Sequence, residues 1–260
     1  MKKIIALILT TLAIATLFTG CGKKNQTDLE YVKEKGTLIV GITDFEPMDY
    51  KKGSEWIGFD ADLAKKFGKS LGVKVEFTEI NWDNKVMELD GKQIDCVWNG
   101  MTLTDEVKNA MSTSEAYCNN SQVIVIKKGA KISDTAKEGD DFKGYKFAVE
   151  KGSAGKDMAE KYGYEYTEVD SQAKALMEVN AGTANCAIID SLMAAAMVGE
   201  GTSYSNLKYT VSLNEELYGV GFRKNSDLTA KLNEFFKTAK EDGTMQAIAE
   251  QYKVQAALIK

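Results

Sequence analysis

The sequence predicts an α/β fold of two lobes, each a largely parallel sheet flanked by helices, on three observations. Short apolar runs alternate with amphipathic helical stretches along most of the chain, the pattern of βαβ units around parallel strands. The alternation stops at residues 130–144, where apolar content drops, and then restarts. Beyond the N-terminal leader, no stretch is long and apolar enough to cross a membrane.

Taken in order, residues 37–42 (TLIVGI) form a short buried strand and 59–71 (FDADLAKKFGKSL) an amphipathic helix. Residues 73–80 alternate as a strand, 83–89 are a short helix, and 94–98 (IDCVW) are a second buried strand. Residues 122–128 (QVIVIKK) continue the apolar theme, and 130–144 are predicted to be a surface loop. The cycle restarts with strand 146–150, helix 154–162, strand 164–169, helix 172–181, strand 185–189 and helix 191–198. Strand 218–224 (YGVGFRK) and helices 228–240 and 245–252 close the chain. The two halves share a loose βαβαβ plan without enough identity to be a repeat. In such folds ligands bind beyond the carboxyl ends of the strands, and pockets favour the space between domains.

Residues 1–20 stand outside this fold. Lys2 and Lys3 precede an apolar run, 4–18, that falls short of the roughly 20 residues a spanning helix needs, so it is a secretory signal. The run ends Phe18-Thr19-Gly20-Cys21, which resembles a bacterial lipobox, although Phe18 stands where Leu is usual. That resemblance implies cleavage before Cys21 and diacylation of its sulfur. Two acyl chains anchor stably where one does not. Residues 21–29 then form the lipidated tether, which holds the protein on the outer side of the cell membrane. Without Lys2 and Lys3 the 33 basic residues become 31 against 38 acidic ones, so the net charge moves from −5 to −7. That balance excludes a nucleic-acid partner, which needs a basic face. The roughly 230 residues beyond the tether suffice for one large or two small domains.

Three further cysteines, Cys96, Cys118 and Cys186, are widely spaced and odd in number, which is no disulfide framework; Cys96 and Cys186 sit in apolar runs as buried thiols. The chain contains no histidine, so the commonest metal ligand and the usual neutral-pH acid–base group are both missing. No metal or cofactor is expected.

Seven segments, read in order, carry a resemblance. They are Gly41-Ile-Thr-Asp-Phe-Glu-Pro47, Gly58-Phe-Asp-Ala-Asp-Leu-Ala64, Gly91-Lys-Gln-Ile-Asp-Cys96, Asn99-Gly-Met-Thr-Leu-Thr-Asp-Glu106, Val149-Glu-Lys-Gly-Ser-Ala154, Ala187-Ile-Ile-Asp190 and Tyr218-Gly-Val-Gly-Phe-Arg-Lys224. Together they resemble the polar-amino-acid family of periplasmic binding proteins. The resemblance implies a periplasmic-binding-protein-like (type II) fold, in which two lobes joined by two crossing strands close on a ligand. Lobe one would combine residues 30–123 and 217–260, and lobe two would be 124–216. The function implied is capture of a small polar solute, an amino acid or related amine, by a monomer that hands it to an ABC permease.

The ligand residues follow from those segments. The family places an aromatic ring at Phe45, where Pro47, the only proline, restricts the residue before it to extended conformations. Trp82 would supply a second ring, suited to an apolar stem or a cation. Asn99, Gly100 and Thr102 follow the strand IDCVW. Glycine lets a ligand approach the backbone closely, and Thr102 offers a backbone donor and a hydroxyl to a carboxylate. Thr102 or Thr104 could instead cap the next helix. Gly152 and Ser153 open a helix whose unpaired donors suit an anion. Ala154 stands where many relatives place a hydroxyl. Asp190 ends an apolar strand; it can cap the following helix or hold a ligand ammonium through a charge-assisted bond.

One position departs from the family. Its T-x-E segment is followed by an arginine that grips the ligand α-carboxylate, and here that place is Val107. The only arginine is Arg223, on the return strand and expected outside the cleft. Three readings follow: Lys108 or another lysine supplies the charge, backbone donors near Thr102 and Ser153 suffice, or the ligand lacks an α-carboxylate and is held by its cation. A lysine does not reproduce an arginine fork. Two other function classes use the same scaffold. A dehydratase-like enzyme would need a cleft acid or base such as Glu150 or Glu46, and a ligand sensor would need a membrane helix and a signalling domain.

Overall fold

The computed structural model describes residues 26–131, 140–142 and 144–260, so the leader and Cys21 lie outside the described residues. Helix α1 (Asp28–Lys35) begins at Thr27 in a reciprocal capping box with Glu30. It leads into strand β1 (Thr37–Ile42), and a small hairpin, β2 (Tyr50–Lys52) and β3 (Glu55–Ile57), follows. Helix α2 (Phe59–Leu71) buries Phe59, Leu63 and Phe67, one stripe at intervals of four. Then come β4 (Lys74–Glu79), α3 (Lys85–Asp90), β5 (Cys96–Thr102), α4 (Asp105–Ala110), β6 (Ser112–Thr113) and β7 (Cys118–Asn120).

The chain next enters β8 (Gln122–Lys127), β9 (Lys146–Glu150), α5 (Ala154–Tyr162), β10 (Glu165–Val169), α6 (Gln172–Ala181), β11 (Cys186–Asp190), α7 (Ser191–Met197) and β12 (Leu207–Ser212). It finishes with β13 (Glu216–Phe222), α8 (Leu228–Glu241) and α9 (Thr244–Gln251).

Two large sheets organise these elements. The first runs β4-β1-β5-β13-β6, with β7 also on β13, and the second runs β10-β9-β11-β8-β12. Within the first, β4, β1 and β5 are parallel and β13 is antiparallel to β5. Within the second, β10, β9 and β11 are parallel, β8 runs against them, and β12, antiparallel to β8, points the same way as the parallel three. Each sheet thus has three parallel strands, in keeping with the expected largely parallel lobes, and one strand running against them, β13 or β8, which was not predicted. The backbone passes between sheets twice, from β7 to β8 and from β12 to β13.

Several predicted boundaries move. Strand β5 runs on to Thr102, because Gly219 and Tyr218 of β13 pair with Met101 and Thr102 and extend the ladder. The weakly apolar segment 130–144 is described only in part, and there it corrects the surface-loop expectation. Phe142 is fully buried, with its ring 6.3 Å from both Phe147 and Tyr164, and anchors the second core cluster. Helix α1, the hairpin and β12 carry too little apolar periodicity to be predicted.

The far end of the first lobe is tied by Arg223. Its Nε donates to Asp28 Oδ1 at 2.9 Å, and its terminal nitrogens donate to Asp95 Oδ1 at 3.2 Å and the Ile94 carbonyl at 2.7 Å. Arg223 does not line the interlobe cleft, as expected. Cys96, Cys118 and Cys186 are buried free thiols.

Candidate functional site

The carboxyl ends of β1, β5, β9 and β11 converge on a cleft of about 210 Å³ between the two sheets. All seven predicted ligand residues line it: Phe45, Trp82, Asn99, Gly100 and Thr102 from the first lobe, Ser153 and Asp190 from the second. Sequence reasoning missed Lys85 and Gln172, each a lone polar residue at the start of a helix, which carries no signal of its own.

Phe45 sits in a tight turn, its N–H donating to the Asp49 carbonyl at 2.7 Å. Its ring meets Tyr218 edge-on, with centroids 6.4 Å apart. Gly100 has φ +54, and a Cβ there would lie 2.6 Å from Phe45 Cε1 and 3.1 Å from Tyr218 Cε2. Only glycine lets β5 pass beneath that ring. The Gly100 N–H donates to buried Asp60 at 2.7 Å, which also accepts from Tyr117 Oη. Burial pushes the Asp60 carboxyl up to about 7.

Asn99 lines the cleft with its amide already committed. Its Oδ1 accepts from Thr43 N and Oγ1, and its Nδ2 donates to Thr43 O and to Asp49 Oδ2. That fills its hydrogen-bonding capacity inside the first lobe. Thr102 does not cap α4. Its hydroxyl donates to Glu216 Oε1 at 2.9 Å, and Thr104 is the cap, accepting from Val107 N at 3.1 Å. Ser153 caps α5 through Oγ, which accepts from Lys156 N at 3.2 Å.

Asp190 precedes α7 and makes no side-chain cap. Its carboxylate instead accepts from Tyr218 Oη at 2.7 Å, Gln122 Nε2 at 2.9 Å, and the amides of Asn120 and Gln172. Burial, reinforced by the Glu216 charge, raises it to about 8. Glu150, at the end of the neighbouring strand β9, is 3 % exposed and is raised to about 8 by burial and by Asp190.

The lobes touch across the cleft mouth. Lys85 Nζ of α3 donates to the Gly152 carbonyl at 3.1 Å and to the Trp82 carbonyl at 3.2 Å, and burial lowers its pKa. Lys151 pairs with Asp83 at 3.0 Å. Among the described residues five carboxyl groups line the cleft (Asp83, Glu106, Glu150, Asp157, Asp190) against two ammonium groups, Lys85 and Lys156, so its field favours a positive charge. Val107 packs with Ile80, Trp82, Leu89 and Met111 in an apolar cluster on the first-lobe wall, where the family's arginine was expected. Among the described residues no cluster of potential metal ligands occurs.

Two α/β lobes crossed twice by the chain, with a polar cleft between them, define a clamp for a small solute. The family profile of the bacterial extracellular solute-binding proteins, family 3, matches residues 38–255, and the chain belongs to that family. It is 29 % identical over 252 residues to the arginine-binding extracellular protein ArtP of Bacillus subtilis (strain 168), covering 95 % of this chain and 96 % of the relative. A mutant of ArgBP from T. maritima superimposes with a TM-score of 0.81 at 30 % identity, over 86 % of this chain and 98 % of that one. A substrate-binding protein of an ABC uptake transporter from Streptococcus pneumoniae, with bound histidine, gives a TM-score of 0.81 at 27 % identity, over 90 % and 99 % of the two chains.

Proposed function

We propose that the protein captures an amino acid or related amine with a positively charged end and delivers it to an ABC importer, acting as a monomer. The observation that carries this reading is the acidic cleft at the strand ends, with buried carboxylates on one side and the rings of Phe45 and Trp82 on the other. Phe45, Trp82, Gly100, Thr102, Ser153 and Asp190 are its contact residues, Asn99 contributing through its backbone. Lobe one comprises residues 30–123 and 217–260, and lobe two 124–216. A ligand touching both lobes binds the closed form better than the open one, and that difference drives closure. The closed form is the one the permease reads.

The test is a thermal-shift panel on protein refolded to remove carried solute, followed by calorimetry. The panel holds the twenty amino acids, their decarboxylated amines and polyamines. A ligand at 100 times its Kd adds about 2.7 kcal/mol. Absence of any hit in the panel would refute the reading. Amino-acid binding without amine binding would show that a carboxylate is read despite Val107.

Attachment to the membrane through lipidated Cys21 is part of the same proposal. Cys21→Ser should release the protein from the membrane fraction into the medium, and unchanged fractionation would count against it.

An enzyme on this scaffold is the second reading, favoured by a cleft carboxyl, Glu150, held near neutral pKa, where a general acid or base works well. Consumption of a bound solute over hours would establish it, and recovery of the solute intact would exclude it.

A further inference from the structure

Two buried carboxylates, Asp190 and Glu150, stand at the ends of the neighbouring strands β11 and β9, and their hydrogen-bonding states differ. Asp190 is surrounded by donors from Asn120, Gln122, Gln172 and Tyr218. Glu150 is as deeply buried, yet among the described residues its Oε1 has no hydrogen-bond partner. The backbone around it is fixed. Glu150 pairs with Val169 of β10, and its carbonyl accepts from Ser153 N at 3.3 Å. The side chain therefore stands at a strand end that cannot easily shift to find a donor.

A buried carboxylate oxygen left unpaired is costly, and a group kept for architecture alone has its acceptors filled. Glu150 is among the residues that line the cleft. The charged groups facing it are Asp190 from β11, which repels its negative form, and Lys85 from α3, which favours it; the Gln172 amide from α6 favours it too. Lys85 directs two of its three N–H donors to the Trp82 and Gly152 carbonyls, and none of its hydrogen bonds reaches Glu150 Oε1. One positive charge entering the cleft can compensate one of the two carboxylates. The other then stays buried and unpaired unless a second charge arrives.

We propose that Glu150 is the specificity-determining anion of this cleft, taking the second positive charge of a dicationic solute whose first sits by Asp190. The chemistry is two amino or guanidino groups on one short stem, supplied by an α-amino acid with a cationic side chain or by a diamine. This rests on the cleft being the solute site. The Oε1 vacancy accepts an N–H from the second cation, and the buried setting makes that charge-assisted bond strong.

The experiment is titration calorimetry of the purified, solute-stripped protein and of Glu150→Gln, which keeps shape and removes charge. The probes are L-arginine, its isostere L-citrulline, which keeps the α-ammonium but has an uncharged side chain, and agmatine, which keeps both cations without the carboxylate. The wild-type protein should bind arginine or agmatine at least about 30-fold more tightly than citrulline, and which of the two binds separates the amino-acid source from the amine source. Glu150→Gln should weaken the charged ligand at least about tenfold, the scale of a lost hydrogen bond to a charged group, and leave citrulline within about threefold. Its ligand-free melting midpoint should be no lower than wild type, which shows that it folds. A charged-to-neutral ratio unchanged in Glu150→Gln would overturn the role of Glu150 and leave the cleft as the solute site. A wild-type preference for citrulline or another neutral amino acid would overturn the dicationic class. Binding of no probe and no panel member would overturn this inference together with the proposed function.

Discussion

Asp190 and Glu216 share their hydrogen-bond donors across the crossing strands. Asn120 donates to both carboxylates, and Gln122 Nε2 reaches Asp190 Oδ1 at 2.9 Å and Glu216 Oε1 at 2.8 Å. Asn120 and Gln122 lie on the first passage between lobes and Glu216 on the return, so the cleft carboxylate is wired to the hinge. Any change in its charge is felt where the lobes pivot. Glu216→Gln removes one cause of the raised Asp190 pKa. The variant should therefore lose less stability between pH 6 and 8 than wild type in ligand-free melting curves; superimposable pH profiles would refute the coupling.

The pH profile of the ligand-free protein follows from its buried acids, among them Asp49, which burial and the neighbouring Asp60 raise well above the ordinary carboxylate range. Asp60 is raised from 3.8 to about 7, Glu150 from 4.5 to about 8 and Asp190 from 3.8 to about 8. Between pH 4 and 8 the folded chain holds protons that the unfolded chain releases. Their contribution to stability is thus complete below about pH 4 and is lost as pH rises towards 8, by at most about 1.4 kcal/mol per pH unit for each group. The melting midpoint should fall from pH 5 to 8. A cationic ligand should flatten that slope, since it favours the ionised forms.

Gly100→Ala forces a Cβ into the Phe45 ring at a residue with positive φ. The left-handed backbone costs about 1–2 kcal/mol and the overpacking about 1–3 kcal/mol. A fall in midpoint of roughly 5 °C or more is expected, with ligand affinity lost as the ring is displaced. Normal calorimetric affinity in this variant would show that neither the ring nor the close approach at residue 100 matters to binding.

Lys151 and Asp83 bridge the lobes, but both side chains are about half exposed. Exposed pairs contribute little and are screened by salt. Lys151→Ala should change ligand affinity less than about threefold, and the difference should vanish at high ionic strength. A tenfold loss that survives salt would mean the pair is part of the latch.

Arg223→Lys should cost stability without touching the ligand. A lysine cannot reproduce the fork that serves Asp28, Asp95 and the Ile94 carbonyl. Each buried acceptor left unpaired costs about 1–3 kcal/mol, so the midpoint should fall by roughly 5 °C. Calorimetry should give an unchanged affinity, and weakened binding would place Arg223 in communication with the cleft.

The fold was readable where burial writes a period into the sequence. Strand β9, helix α5 and helix α6 fall at their predicted bounds, because the strand is a short run buried at four successive positions and each helix has a buried stripe between a serine cap and a glycine cap. The hairpin β2–β3 and strand β12 were not readable, since their side chains are mostly half-buried or exposed and their order comes from pairing. At the site, the family resemblance, together with residue types near strand ends, pointed to seven positions that converge. What those side chains do was hidden. Asn99 and Thr102 spend their polar groups on Thr43, Asp49 and Glu216, partners distant in sequence. Lys85 sits in a short helix like any surface lysine, and only the approach of Gly152 from the other lobe reveals it.

Strand order also governs how the chain is assembled as it emerges during synthesis, N-terminus first. The five strands of the second sheet come from one unbroken stretch, β8 to β12, whereas the first sheet needs β13 inserted between β5 and β6. The lobe that begins first must therefore be finished last. Until residue 222 has emerged, its apolar strand edges remain open to other chains, an aggregation hazard. Synthesis with stalled C-termini should yield a protease-resistant fragment of the second lobe alone, and recovery of a resistant first lobe would contradict that order.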